Sequence, residues 1–141
     1  MMDSKGQISL EYLLIFAVTF IILIAFTLPL LEESMNNTFD ISDSIKTKSD
    51  LSQLSQAIKQ VYGQGQGARI TVSLDIDKPV KIDIADNYIS SKIKLKDNQY
   101  NDIKVPVKSK LKTDSFRLSK GKNTFVVEWP VNSEYMIIYK K

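Results

Sequence analysis

The sequence predicts an α+β protein: a long N-terminal hydrophobic helix followed by a small antiparallel β-sandwich-like head. Three observations predict this class. Leu13 through Leu31 is an apolar run of 19 residues without a charge. The Gly63-Gln-Gly-Gln-Gly67 cluster interrupts the chain. Beyond it the apolar residues change from a helical period to a period of two, which is the pattern of half-buried strands.

The run is broken only by Thr19, Thr27 and Pro29. At about 1.5 Å per residue it is roughly 28 Å long as a helix, close to the roughly 30 Å of a bilayer's hydrocarbon core. A domain of this size could not bury a helix that is apolar on all sides. A cleaved secretory signal would end in small residues in an A-x-A-like pattern. Here the run ends in Leu28-Pro29-Leu30-Leu31-Glu32-Glu33, so the segment is expected to stay in the mature chain. Lys5 precedes it and acids follow it, a mild positive-inside signal that puts the short leader in the cytoplasm and the larger part outside. Pro29 lacks an amide hydrogen and is expected to kink the helix, either as a device for melting on assembly or as an ordinary membrane kink.

An ordinary anchor leaves Glu11 unexplained. A carboxylate at the head of an apolar helix is costly and either pairs with a partner or snorkels to the membrane surface. Its surroundings read Lys5-Gly6-Gln7-Ile8-Ser9-Leu10-Glu11-Tyr12. This resembles the class III signal peptide of archaeal type IV pilin-like proteins: a short basic leader, a glycine before the cut, then Gln-x-Ser-x-Glu-Tyr running into the apolar helix. The resemblance covers Gln7, Ser9, Glu11 and Tyr12 as the processing and assembly motif, with Lys5 as leader charge.

Several expectations follow from that resemblance. A membrane-embedded prepilin peptidase cuts between Gly6 and Gln7. Glu11 becomes the fifth residue of the mature chain and helps register an incoming subunit by pairing with a neighbour's terminal amine. An N-terminal glutamine can cyclise, in which case Glu11 would need a hydrogen-bond donor such as a neighbour's Ser9 or Tyr12. The partners implied are further copies in a helical filament (a homo-oligomer), the peptidase, a cytoplasmic assembly ATPase and a membrane platform protein. The precursor would sit in the cytoplasmic membrane as a single-pass protein and the product in an extracellular filament. No cofactor is implied.

The expected organisation is a leader at 1–6, the hydrophobic helix at 7–31, a continuing amphipathic helix at 32–62, a glycine-rich hinge at 63–67 and a β-rich head at 68–141. Between Glu32 and Tyr62 there is no Gly or Pro, and Leu51, Leu54, Ile58 and Val61 recur at helical spacing. The Asn36–Asp43 stretch is less regular, which leaves open a separate helix after a break. Asn36-Asn37-Thr38 is the one N-x-S/T sequon, making Asn36 a glycosylation candidate unless it is covered between subunits. The glycine cluster follows a helix and precedes a strand, the reverse of a phosphate-binding loop, so it reads as a C-cap and hinge. Strands are expected around Ile70–Ile76, Val80–Ile84, Ile93–Leu95, Ile103–Val107, Phe125–Trp129 and Tyr135–Tyr139, with Pro106 placing its strand at an edge or bulge.

Charge is segregated. Of a formal net +3 at pH 7, residues 7–66 carry a net −3 and residues from 67 onward a net +6. Lys92, Lys94 and Lys96 are in phase on one strand, and Lys104, Lys108, Lys110 and Lys112 on the next segment. They are candidates for contact with an anionic polymer or surface, set against the plainer reading of lysines guarding an exposed edge. Aromatic interleaving is thin, with Tyr100 alone nearby, which argues against nucleic acid. There is no histidine and no cysteine, which removes thiolate chemistry, disulfides and the commonest general base. The expectation is therefore a non-enzymatic filament subunit supporting adhesion, with a minor or tip adhesin and a non-polymerising anchored domain as alternatives.

Overall fold

The computed structural model describes residues 4–95 and 98–141, and its elements run α1 (Ser4–Gln64), then seven strands. These are β1 (Arg69–Ile76), β2 (Val80–Ile84), β3 (Tyr88–Lys94), β4 (Tyr100–Pro106), β5 (Asp114–Leu118), β6 (Gly121–Glu128) and β7 (Ile137–Lys140). One long helix followed by antiparallel sheets is the α+β class that the sequence pattern predicts. The chain divides into two compact units, one ending at Phe39 and the other Asp40–Lys141.

In the first unit α1 is apolar on every side from Leu13 to Leu31, and every residue of that stretch is exposed. Leu10, Phe16 and Phe26 are 67%, 70% and 73% exposed, and the segment is long and apolar enough to cross a membrane. Its polar interruptions are closed internally: Thr19 Oγ1 donates to the Ile15 carbonyl at 2.8 Å and Thr27 Oγ1 to the Leu23 carbonyl at 2.6 Å. This back-bonding to the carbonyl four residues earlier removes a free hydroxyl from apolar surroundings. Pro29 lies inside α1, which remains helical on both sides of it, and the helix is also uninterrupted through Asn36–Asp43.

In the second unit α1 becomes one-sided. Leu51, Leu54, Ile58 and Val61 are fully buried, while Lys59 and Gln60 between them are exposed. They join a core to which both sheets contribute, including Leu74, Ile82, Ile84, Ile89, Leu118 and Phe125. One sheet has the order β1-β6-β7 and the other β4-β3-β2-β5, with all pairings antiparallel. Pro106 is the last residue of β4, which is an edge strand, where a missing backbone donor is tolerated. A parallel bridge between Leu111 and Met136 connects the segment before β5 to the one before β7.

The helix terminates at the glycine cluster. Gly65 and Gly67 have φ of 90° and 89°, the left-handed region that side-chain-bearing residues avoid. Gly65 N–H donates to the Val61 carbonyl, and Gly67 N–H donates to Trp129 O at 2.7 Å. Tyr62 stacks on Trp129 with ring centroids 5.6 Å apart, and Trp129 Nε1 donates to the Ser133 carbonyl. The segment that the sequence marks as a hinge is thus held by backbone and ring contacts to Trp129, the residue that follows β6.

Candidate functional site

The residues that the sequence singles out at the N-terminus lie on consecutive turns of α1. Positions 7 and 11 are one turn apart, a rise of about 6 Å. A chain beginning at Gln7 would therefore carry its new terminus within a turn of Glu11. Ser9, Glu11 and Tyr12 are all exposed, with Tyr12 at 70%. Glu11 makes no salt bridge among the described residues. The leader's Met1–Asp3 lies outside the described residues, and Lys5, Gly6 and Gln7 belong to the helical backbone.

Comparison with family models matches residues 4–30 to the Class III signal peptide family. The chain carries a class III signal peptide. This is the type IV pilin-like signal, and the match takes in the apolar run as far as Leu30 and none of the β head. Comparison with curated proteins and with solved structures finds no match.

Downstream of the class III signal peptide, Asn36 is partly exposed on α1, and the sequon's Thr38 hydroxyl donates to the Ser34 carbonyl at 2.9 Å. The in-phase lysines of the head are not one patch. In the β3–β4 register Lys92 lies opposite Asp102 and Ser90 opposite Lys104. Lys104 pairs with Asp102 at 3.4 Å and sits over the Tyr88 ring. Lys108 and Lys110 line a cavity of about 600 Å³ beside Tyr62 and Trp129, and Lys110 is paired with Glu134. That contact holds the Lys110 ammonium above its ordinary pKa through a hydrogen bond and the carboxylate's charge. Lys112 is exposed, and Lys96 lies outside the described residues.

Lys92 and Lys94 instead meet four cations that sequence spacing did not associate with them. Lys46 on α1, Lys78 in the β1–β2 turn, Lys81 on β2 and Arg117 on β5 line the same cleft of about 330 Å³. Side-chain contacts tie α1 to the rest of the second unit. Lys78 pairs with Asp43 of α1, and Asn101 Nδ2 donates to Ser44 Oγ at 3.2 Å. The signal that could have found the cluster is β5, which carries Arg117 and which the sequence reading did not identify as a strand.

One turn past Lys46, Asp50 is nearly buried on α1, with Lys46 Nζ 3.7 Å away. Burial pushes its carboxyl above the usual carboxylate range; Lys46 opposes this, and the charges of Asp77 and Asp75 add to it. A buried acid with one weak ion pair is a cost to folding at neutral pH rather than a gain.

Proposed function

We propose that this chain is the structural subunit of an archaeal type IV pilus-like surface filament. Its apolar segment holds the precursor in the cytoplasmic membrane, a prepilin peptidase cuts between Gly6 and Gln7, and copies polymerise through that segment into a helical homo-oligomer. The observation that carries this reading is the class III signal peptide on an apolar segment that buries none of its own surface.

Magnitudes support polymerisation over a free soluble state. Between Leu10 and Leu31 sixteen large apolar or aromatic side chains are exposed. Each is worth about 1.5–3 kcal/mol when buried. Their sum far exceeds the roughly 5–15 kcal/mol that holds a domain folded. The segment therefore has to remain in lipid or be packed against copies of itself. A heterologous contact that does not close into a ring gives an open filament. No catalytic role is assigned to the chain, and the work of extraction falls to an assembly ATPase and a membrane platform protein. Glu11, carrying charge at the head of the segment, is the group that registers each incoming copy.

Intact mass and N-terminal analysis of the protein in sheared filaments tests the proposal. The expected product lacks Met1–Gly6 and begins at Gln7 or its cyclised form. Retention of Met1, or a protein confined to membranes and absent from filaments, would overturn it and leave a single-pass anchored domain. A second reading, a minor subunit or tip adhesin, is favoured by the cation-lined cleft of the head. It predicts that the protein is scarce rather than abundant in the sheared fraction.

A further inference from the structure

We infer that the cleft between α1, the β1–β2 turn and the sheet β4-β3-β2-β5 binds an acidic sugar, a saccharide bearing a carboxylate or sulfate group. The first observation is a row of like charges. Arg117 of β5 is directly opposite Lys81 of β2. Lys92 of β3 lines the same cleft, one residue past the last registered β2–β3 pair, Ile82 and Ser91. Like charges directly opposite on a sheet destabilise it. Lys81 is relieved by Asp83 at 2.8 Å and Asp102, opposite Lys92, is paired with Lys104, whereas Arg117, Lys92 and Lys94 have no salt bridge among the described residues. A cation row of this kind is stabilised by an anion that lies across it.

The second observation is the shape and lining of the cleft, which select among anions. Its volume of about 330 Å³ lies at the small end of the roughly 300–1,000 Å³ typical of ligand pockets. That suits a monosaccharide-sized group rather than a length of polymer backbone. The lining also carries Asp43, which is paired with Lys78, and Asp77. Carboxylates repel a phosphodiester chain but accept hydrogen bonds from sugar hydroxyls. Val80, Ile93, Pro79 and the Tyr100 ring, 66% exposed, supply an apolar wall for the carbon face of a sugar ring. A guanidinium beside two ammonium groups gives the charge-assisted, forked donors that carboxylate and sulfate oxygens accept. Nucleic acid would want several aromatic platforms along the cation row, and only Tyr100 lines this cleft.

The test uses the full chain in neutral detergent, so it does not depend on filament assembly and can fail without affecting the proposed function. Binding is measured by calorimetry to three probes: an oligogalacturonate, its fully methyl-esterified twin and a single-stranded oligonucleotide of matched charge. A sulfated galactan oligosaccharide then separates sulfate from carboxylate as the source of the charge. The expected result is binding of one or both acidic saccharides, with no binding of the neutral ester and weaker binding of the oligonucleotide. Arg117→Thr and Lys92→Ser should each weaken saccharide binding about tenfold, the scale of one charge-assisted hydrogen bond. Lys112→Ser, outside the cleft, should leave it unchanged. Arg117→Thr should also raise Tm or leave it unaltered, since it relieves the repulsion with Lys81, and this keeps loss of binding distinct from misfolding. Equal binding of the ester, tighter binding of the oligonucleotide, or unaltered affinity in both cleft variants would overturn the assignment.

Discussion

At the scale of single residues, Asp50 shows how a sequence that reads well as a helix can carry a local penalty. Its carboxyl is buried against the head with Lys46 on one side and the charges of Asp75 and Asp77 beyond. Because its folded-state pKa is raised, the folded chain holds this proton more tightly than the unfolded chain does. Stability contributed by this group therefore increases as pH falls through the window just above the ordinary carboxylate value, and is lost as pH rises. Asp50→Asn removes the charge and keeps the shape. It should give a higher Tm than the parent near neutral pH, with the difference shrinking as acid protonates the parent's Asp50. Thermal melts over a pH series would show this, and a lower Tm for the variant at neutral pH would mean that the Lys46 pairing outweighs burial. Such a site is hard to read from sequence, because Asp50 looks like one more acid on a solvated face until the packing of Leu51 and Leu54 draws it inward.

At the scale of elements, α1 is legible where its pattern is one-sided. Leu51, Leu54, Ile58 and Val61 form the buried stripe that their spacing predicts. The strands with alternating β-branched residues are legible for the same reason. β5 is not: Asp114-Ser-Phe-Arg-Leu118 offers only Phe116 and Leu118 to the interior and follows a lysine-rich stretch. Its strand character comes from pairing with β2, a non-local contact that propensity cannot supply. The glycines at the end of α1 divide by the same logic. Gly63 is helical with open space around it, whereas Gly65 is also unobstructed but has φ of 90°. Gly63→Ala should therefore stabilise the unit by about 0.4–1 kcal/mol by restricting the unfolded chain. Gly65→Ala should destabilise it by about 1–2 kcal/mol, the cost of a left-handed residue with a side chain. Denaturant titration of both variants measures the contrast.

At the scale of the whole molecule, the first turns were more legible than the head. The class III signal peptide at residues 4–30 is contiguous, so a linear reading recovers it. The cleft is assembled from α1, a turn and residues of five strands, and the in-phase lysines turned out to be shared among two cavities and an ion pair. Glu11 tests the filament reading at this scale. Glu11→Ala should be processed normally and inserted into the membrane, yet fail to accumulate in sheared filaments. Filaments formed at the parent's level would show that the charge is dispensable to assembly.

The hydrogen bonds of Thr19 and Thr27 to their own helix have a consequence for how the apolar segment changes surroundings. A helix whose hydroxyls sought partners in neighbouring chains would have to break and remake those bonds each time it left one medium for another. Here each hydroxyl carries its acceptor with it. Exchanging acyl chains for the side chains of adjacent copies then leaves these bonds intact. The free-energy difference between the two surroundings reduces to close packing, the hydrogen bonding at the chain's head and the lipid's own entropy. A segment of that kind is a portable part, equally closed in a bilayer and in a bundle.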